Sequence, residues 1–272
     1  MTLPMIRPMT APMNTNEKTR ILNETFGFTS FREGQEEVVD ALVRGEDVLA
    51  VMPTGAGKSL CYQVPALVRD GLAIVVSPLV ALMRDQVAAL ALNGVAVETI
   101  NSSRDRAENV DAWLRAADGR IKLLYLSPER LMTDRMLAAL AKLDISLIAV
   151  DEAHCISQWG PSFRPEYEDL ARLRQVFPSV PIAAFTATAD EVTRADIRDR
   201  MFGERCHVFV QGFDRPNIRL AVEPKRSWKK QLLEVLAEHK GDNGIVYCLS
   251  RAKTEDAAGY LRDNGFRAMA YH

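Results

Sequence analysis

The chain has 272 residues, enough for one large domain or two modest ones, and 47% of them are hydrophobic and 26% charged. No apolar run approaches the roughly 20 residues that cross a bilayer, which excludes a helical membrane span. A net charge of -2 and a pI near 6.1 offer no support for a broad basic surface, so any nucleic-acid site must rest on local residues.

The N-terminal stretch MTLPMIRPMTAPMNTNEK has no unbroken apolar core and is interrupted by prolines, so it is a poor signal peptide; residues 1–20 read as a loose leader. Cys61, Cys155, Cys206 and Cys248 lie far apart with no C-x-x-C pair, which argues against a zinc site and for the reduced thiols of a cytoplasmic protein. In FGFTSFREGQ (26–35), a Phe-Gly-Phe…Phe cluster precedes a helical pattern and suits either a core or a stacking platform. From residue 47 short apolar runs alternate with amphipathic stretches. DVLAVM (47–52), AIVVS (73–77), VAVETI (95–100), KLLYLS (122–127), SLIAV (146–150) and IAAFT (182–186) predict strands. Their continuous apolarity predicts cover on both faces, and the helical patterns between them, such as LVALMRDQVAALALNG, predict a parallel sheet wrapped by helices. GFDRPNIRL (212–220) clusters Gly, Asp, Pro and Asn and reads as a joint. Beyond it WKKQLLEVLAEHK and RAKTEDAAGYLRDNG predict helices, and GIVYCLS and FRAMAYH predict strands, the start of a second α/β domain. The expected organisation is a leader (1–20), a first domain (21–211), and a joint with the N-terminal part of a second (212–272).

Two stretches carry chemistry. MPTGAGKS (52–59) fits the phosphate loop G-x-x-x-x-G-K-[ST] except that Met52 stands in the first glycine's slot. The strand-like DVLAVM before it and the helix-like LCYQVPALV after it supply the context such a loop needs. Backbone N–H groups of Thr54, Gly55, Ala56 and Gly57 would face phosphate at a helix N-terminus, Lys58 would add a cation, and Ser59 a hydroxyl for magnesium. A Gly-rich strand-to-helix turn with a solvent-facing lysine is the alternative for this stretch alone. ISLIAVDEAH (145–154) is an apolar strand ending in carboxylates: Asp151 suits a magnesium partner and Glu152 a base that polarises water. By itself DEAH also fits an acidic strand end capping the next helix.

With DEAH followed by CISQWGPSFRPEY, the chain resembles the RecQ family of superfamily 2 DNA helicases. FTATAD (185–190), SPLVALMRDQV (77–87), NSS (101–103), LSPERL (126–131), GFDRPNI and IVYCLSRAKTED extend the resemblance from about residue 21 to the end. It implies two RecA-like domains, the second incomplete here, and a phosphate loop that dispenses with the first glycine. It also implies ATP and Mg²⁺ as cofactors, single-stranded and forked DNA as partners, 3′-to-5′ translocation and a role in genome maintenance at the bacterial nucleoid. Residue by residue, Gln35 would read the adenine edge while Arg32 and Phe28 stack on its faces. Lys58, Asp151 and Glu152 would be catalytic, with Ser59 and Asp151 on magnesium. Ser77, Pro78, Trp159, Phe163, Arg164, Thr186 and Thr188 would bind DNA or couple it to ATP, with Tyr167 part of the same aromatic-rich segment. Two departures stand out: Phe28 replaces a frequent tyrosine, and Pro161-Ser162 replaces a frequent His-Asp, which stiffens that segment and removes two polar groups.

The family's arginine finger, worth about 10³–10⁵ in rate in comparable phosphoryl-transfer enzymes, matches no residue of this sequence, so weak turnover and little unwinding are expected of the chain alone. A superfamily 2 RNA helicase or remodeller shares the nucleotide motifs, and a hydrolysis-deficient ATP- and DNA-binding module would retain the fold. His207 and His239 have no neighbours at ligand spacing and read as structural or surface residues.

Overall fold

Seven strands form one parallel sheet: β1 (Asp47–Val51), β2 (Leu72–Val76), β3 (Val97–Ile100), β4 (Leu123–Leu126), β5 (Ile145–Val150), β6 (Ile182–Thr186) and β7 (Cys206–Val210), in the order β3-β4-β2-β5-β6-β1-β7. The computed structural model describes residues 15–157, 165–203, 205–212 and 218–272. Six strands are those the apolar runs predict. The seventh, CHVFV, is the edge beside β1, half-exposed and carrying a histidine, so it lacks the continuous apolar signature of a strand covered on both faces.

Alternation along each strand sends side chains to two separate cores. On one face Val48, Ala50, Val75, Tyr125, Ala149 and Phe185 meet α1 (Thr15–Glu24), α2 (Gln35–Val43), α3 (Lys58–Val68) and α4 (Val80–Leu92). On the other, Leu49, Ile74, Val76, Leu124, Ile148 and Ala184 meet α5 (Arg106–Ala117), α6 (Pro128–Leu131), α7 (Asp134–Leu140), α8 (Pro165–Glu168), α9 (Leu173–Val176) and α10 (Glu191–Met201). Each fully buried Val, Leu or Phe contributes about 1.5–3 kcal/mol of transfer free energy, so the central strands are held from both sides. Asp105 and Glu108 close a capping box on α5, each side chain accepting the other's backbone N–H. The helix α1 begins inside the predicted leader: Ile21 and Leu22 are buried and Lys18 turns inward, a short pattern that the flanking polar residues mask.

The chain divides into two units, Met1–Asp214 and Arg215–His272. In the second, α11 (Trp228–Glu238) and α12 (Arg251–Asp263) pack together. Trp228 meets Tyr260 edge-on at 5.9 Å, and the Lys229 ammonium lies 5.3 and 4.9 Å from their ring centroids and 3.4 Å from Asp256. The two predicted strands of this unit, GIVYCLS and FRAMAYH, do not form. A strand exists by pairing its backbone with a neighbour, and neither segment finds one among the described residues, leaving Ile245, Tyr247, Leu249, Met269 and Tyr271 exposed.

Candidate nucleotide-binding site

In an open α/β sheet the binding crevice lies beyond the carboxyl ends of the strands. Here β5, β6 and β1 are neighbours in space although β1 lies about a hundred residues or more before the other two in sequence, so three motifs end side by side. The phosphate-type loop follows β1, Asp151 and Glu152 follow β5, and Thr186 ends β6. Backbone bonds lock them: the Met52 N–H donates to the Thr186 carbonyl at 3.0 Å, and the Asp151 N–H to the Val76 carbonyl at 2.8 Å. Met52 is buried in the core under the loop, with its sulfur 3.9 Å from that of Cys61. It anchors the loop's base, where a glycine could not fill the space.

The loop itself turns through two left-handed glycines, Gly55 (φ 84°) and Gly57 (φ 81°), the latter capping α3. A Cβ at Gly57 would lie 2.5 Å from the Gln35 amide nitrogen, so any larger residue there would have to displace that side chain. That amide donates to the Ala56 carbonyl at 2.7 Å and to the Gly57 carbonyl at 3.3 Å, while its oxygen accepts the Arg32 N–H at 2.9 Å. The Arg32 guanidinium donates to the Gly55 carbonyl at 2.6 Å. Arg32 and Gln35 therefore clasp the loop, which their sequence context alone does not show. Lys58 bends back onto the Met52 and Pro53 carbonyls at 3.2 and 3.5 Å.

A cleft of about 510 Å³ opens above this loop and is lined by Phe28, Arg32, Gln35, Gly55, Gly57, Lys58, Ser59, Gln86, Asp151 and Glu152, among others. Phe28, 49% exposed, stands at its mouth, and its N–H donates to the Leu22 carbonyl at the end of α1. Thr54 sits on the exposed crown of the loop, and Ala56 contributes its carbonyl to Gln35.

The two carboxylates are tuned apart. Burial, then the Glu152 charge, pushes the Asp151 carboxyl up to about 6, although its oxygen accepts the Glu152 N–H at 2.9 Å. Glu152 has φ 50°, the left-handed region, and is the one non-glycine residue there among those described. Its carboxyl is held below the usual range, chiefly by His154, whose Nδ1 lies 3.2 Å away. The Cys155 sulfur and then the Glu152 carboxylate push His154 up to about 9. The same Nδ1 lies 3.0 Å from the Thr186 hydroxyl, which donates to the Thr188 carbonyl at 3.1 Å. His154 thus joins β5 to β6, a role carried by the letter after DEA that the sequence reading left unassigned.

Among the predicted DNA-facing residues, Ser77, just after β2, and Thr186, at the end of β6, are buried where strands flank them on both sides, and the Ser77 hydroxyl has no partner among the described residues. Pro78 is half-buried beside Ser77, and Thr188 is exposed. Tyr167 is fully buried and donates its hydroxyl to the Asp151 carbonyl at 3.1 Å, so it braces the carboxylate turn instead of offering a stacking face. Trp159, Phe163 and Arg164, with Pro161-Ser162, lie outside the described residues. His207 and His239 sit 3.3 Å from Glu46 and Asp242 respectively, as ordinary exposed pairs.

Residues 32–196, more than half of the chain, match the DEAD/DEAH box helicase family. The chain belongs to that family. Among curated relatives, the ATP-dependent DNA helicases RecQ of Pasteurella multocida and Haemophilus influenzae are 48% and 47% identical to it across 93% of this chain. The chain spans 40% and 41% of those relatives' own length. Among solved structures, the DUF1998 helicase MrfA bound to DNA superposes with a TM-score of 0.72 at 17% identity over 96% of this chain and 40% of its own. A hypothetical ATP-dependent RNA helicase from Sulfolobus tokodaii gives 0.58 at 20% identity, over 91% of this chain and 72% of its own. Those two likenesses establish the helicase fold. No described helix is long and apolar enough to cross a membrane.

Proposed function

We propose that this chain is the ATP-binding motor portion of a RecQ-type DNA helicase, which couples ATP hydrolysis to 3′-to-5′ movement on single-stranded DNA and so opens forked duplexes. The observation that carries it is the convergence of Lys58, Ser59, Asp151 and Glu152 on one cleft beside the Phe28–Gln35 segment. The relatives named above as DNA helicases supply the choice of nucleic acid.

The residues suit a magnesium-bound nucleoside triphosphate. Loop N–H groups at the start of α3, an 11-residue helix, and the Lys58 ammonium complement phosphate charge. The Ser59 hydroxyl and Asp151 carboxylate are two hard oxygen donors, and among the described residues no cluster of three acidic, His or Cys side chains surrounds them. That is the donor set of magnesium, which takes few protein ligands and fills its sphere with phosphate and water. Bound there, the metal would neutralise charge on the phosphate oxygens. Glu152, kept ionised by His154, accepts the proton of the attacking water. Phe28 and Arg32 flank the base. His154 and Thr186 relay the state of the carboxylates to Thr188 at the surface. Work on DNA would place the protein at the bacterial nucleoid.

The test is ATP turnover by the protein with single-stranded DNA, with single-stranded RNA and with neither, beside Lys58→Ala. Turnover stimulated by DNA and abolished in the variant is expected. Equal stimulation by RNA would overturn the DNA assignment, and absence of ATP binding would overturn the nucleotide reading.

A further inference from the structure

The helix α1 precedes every motif in the sequence, yet its Lys18 is among the few buried charged residues, 6% exposed. Its ammonium is held by Asp40 and, at 2.9 Å, by Glu36, both on α2, and lies 5.9 Å from the centre of the Phe31 ring. Glu36 follows Gln35 and Phe31 precedes Arg32, so two of the three groups gathered by Lys18 flank the two side chains that clasp the phosphate-type loop, and Asp40 lies one helical turn beyond Glu36. A buried ammonium between two carboxylates and a ring face has a narrow choice of position, since moving away from both carboxylates would leave its own charge without a partner and away from water. The same segment is tied elsewhere: the Phe28 N–H donates to the Leu22 carbonyl of α1, and the Gln211 amide donates to the Glu33 carbonyl at 3.0 Å.

We propose that Lys18 is a positioning residue for recognition of the purine base: by fixing Phe31 against the first turns of α2 it sets Arg32 and Gln35 at the cleft, so that the protein distinguishes a nucleoside triphosphate from a bare triphosphate. This rests on the nucleotide reading above and extends it to a residue that touches neither base nor phosphate. The triphosphate cradle itself (Gly55, Gly57, Lys58, Ser59) follows β1 and opens α3; it is also held by the Met52 backbone bond and the Lys58 bonds, and the Lys18 cluster reaches it only through Arg32 and Gln35.

The experiment compares binding of Mg·ATP and of magnesium tripolyphosphate by calorimetry for the wild-type protein, Lys18→Met, Lys18→Arg and Glu36→Gln, with melting temperatures alongside. Loss of about one hydrogen bond's worth of base recognition predicts a three- to tenfold weaker Kd for ATP in Lys18→Met, with tripolyphosphate changed less than about twofold and partial rescue in Lys18→Arg. Glu36→Gln alters a half-exposed partner and preserves the fold, so it gives the same selective change, smaller in size, should Lys18→Met not fold. ATP affinity unchanged in Lys18→Met or, where that protein does not fold, in Glu36→Gln overturns the proposal, as does parallel loss of both ligands. A wild-type protein that binds ATP no better than tripolyphosphate would instead overturn base recognition itself.

Discussion

Asp151 is buried beside a second carboxylate, and both effects disfavour its charge. Its carboxyl titrates near 6 in the fold against an ordinary 3.8. A group that holds its proton more tightly folded than unfolded makes the fold less stable as pH rises through that window, here from about 4 to about 6. Without magnesium or nucleotide, Asp151→Asn should therefore melt above the wild type at pH 7, and the gap should close as pH falls toward 4 (about the ordinary carboxylate value). Thermal melts across that range check this; a gap independent of pH would mean that the wild-type carboxyl does not titrate in the window. Glu152 has the opposite setting, held ionised by His154 in a left-handed turn. Glu152→Gln should keep ATP binding and lower turnover about 10²–10⁴-fold, the usual worth of a positioned base. Calorimetry and single-turnover hydrolysis separate the two quantities.

At the scale of elements, the loop between β1 and α3 depends on what the preceding segment presses against it. Gly55 and Gly57 share a positive φ, but a Cβ at Gly55 meets open space while one at Gly57 meets the Gln35 amide. Both alanine substitutions carry backbone strain of about 1–2 kcal/mol. Only Gly57→Ala should also displace Gln35, so its ATP affinity should fall further, by about tenfold more than in Gly55→Ala, if one buried hydrogen bond to the loop is lost. Equal affinities in the two variants would show that the clasp is not felt by the nucleotide. The loop's motif was legible in eight letters, because N–H groups, lysine and hydroxyl come from consecutive residues. The clasp was not, because Gln35 and Ala56 are distant in sequence and meet only where α2 packs on α3.

For the whole molecule, the sheet and both of its cores lie within the first unit, and every residue lining the cleft belongs to it. A fragment of residues 1–214 should accordingly unfold in one cooperative transition and bind ATP within about threefold of the full chain, a difference below 1 kcal/mol. Circular dichroism melts and calorimetry test this; a fragment that is unfolded or has lost ATP binding would show that Arg215–His272 completes the fold or the site.

The strands covered on both faces, the helices between them and the phosphate-type loop are legible in the amino-acid order, because each is a local pattern of apolar spacing and turn chemistry. That order also singles out the carboxylates after β5. Everything set by pairing between distant segments emerges only in the folded chain. Strand order placed β5, β6 and β1 together and so turned His154 and Thr186 into a bridge; Ser77 is buried after β2, between β4 and β5, and Tyr167 reaches the Asp151 carbonyl from α8. Packing drew Lys18 out of an apparent leader and into the brace of α2. Conversely, GIVYCLS and FRAMAYH have strand-like composition and remain unpaired, since composition supplies a propensity for extended backbone but only a neighbouring strand supplies the hydrogen bonds.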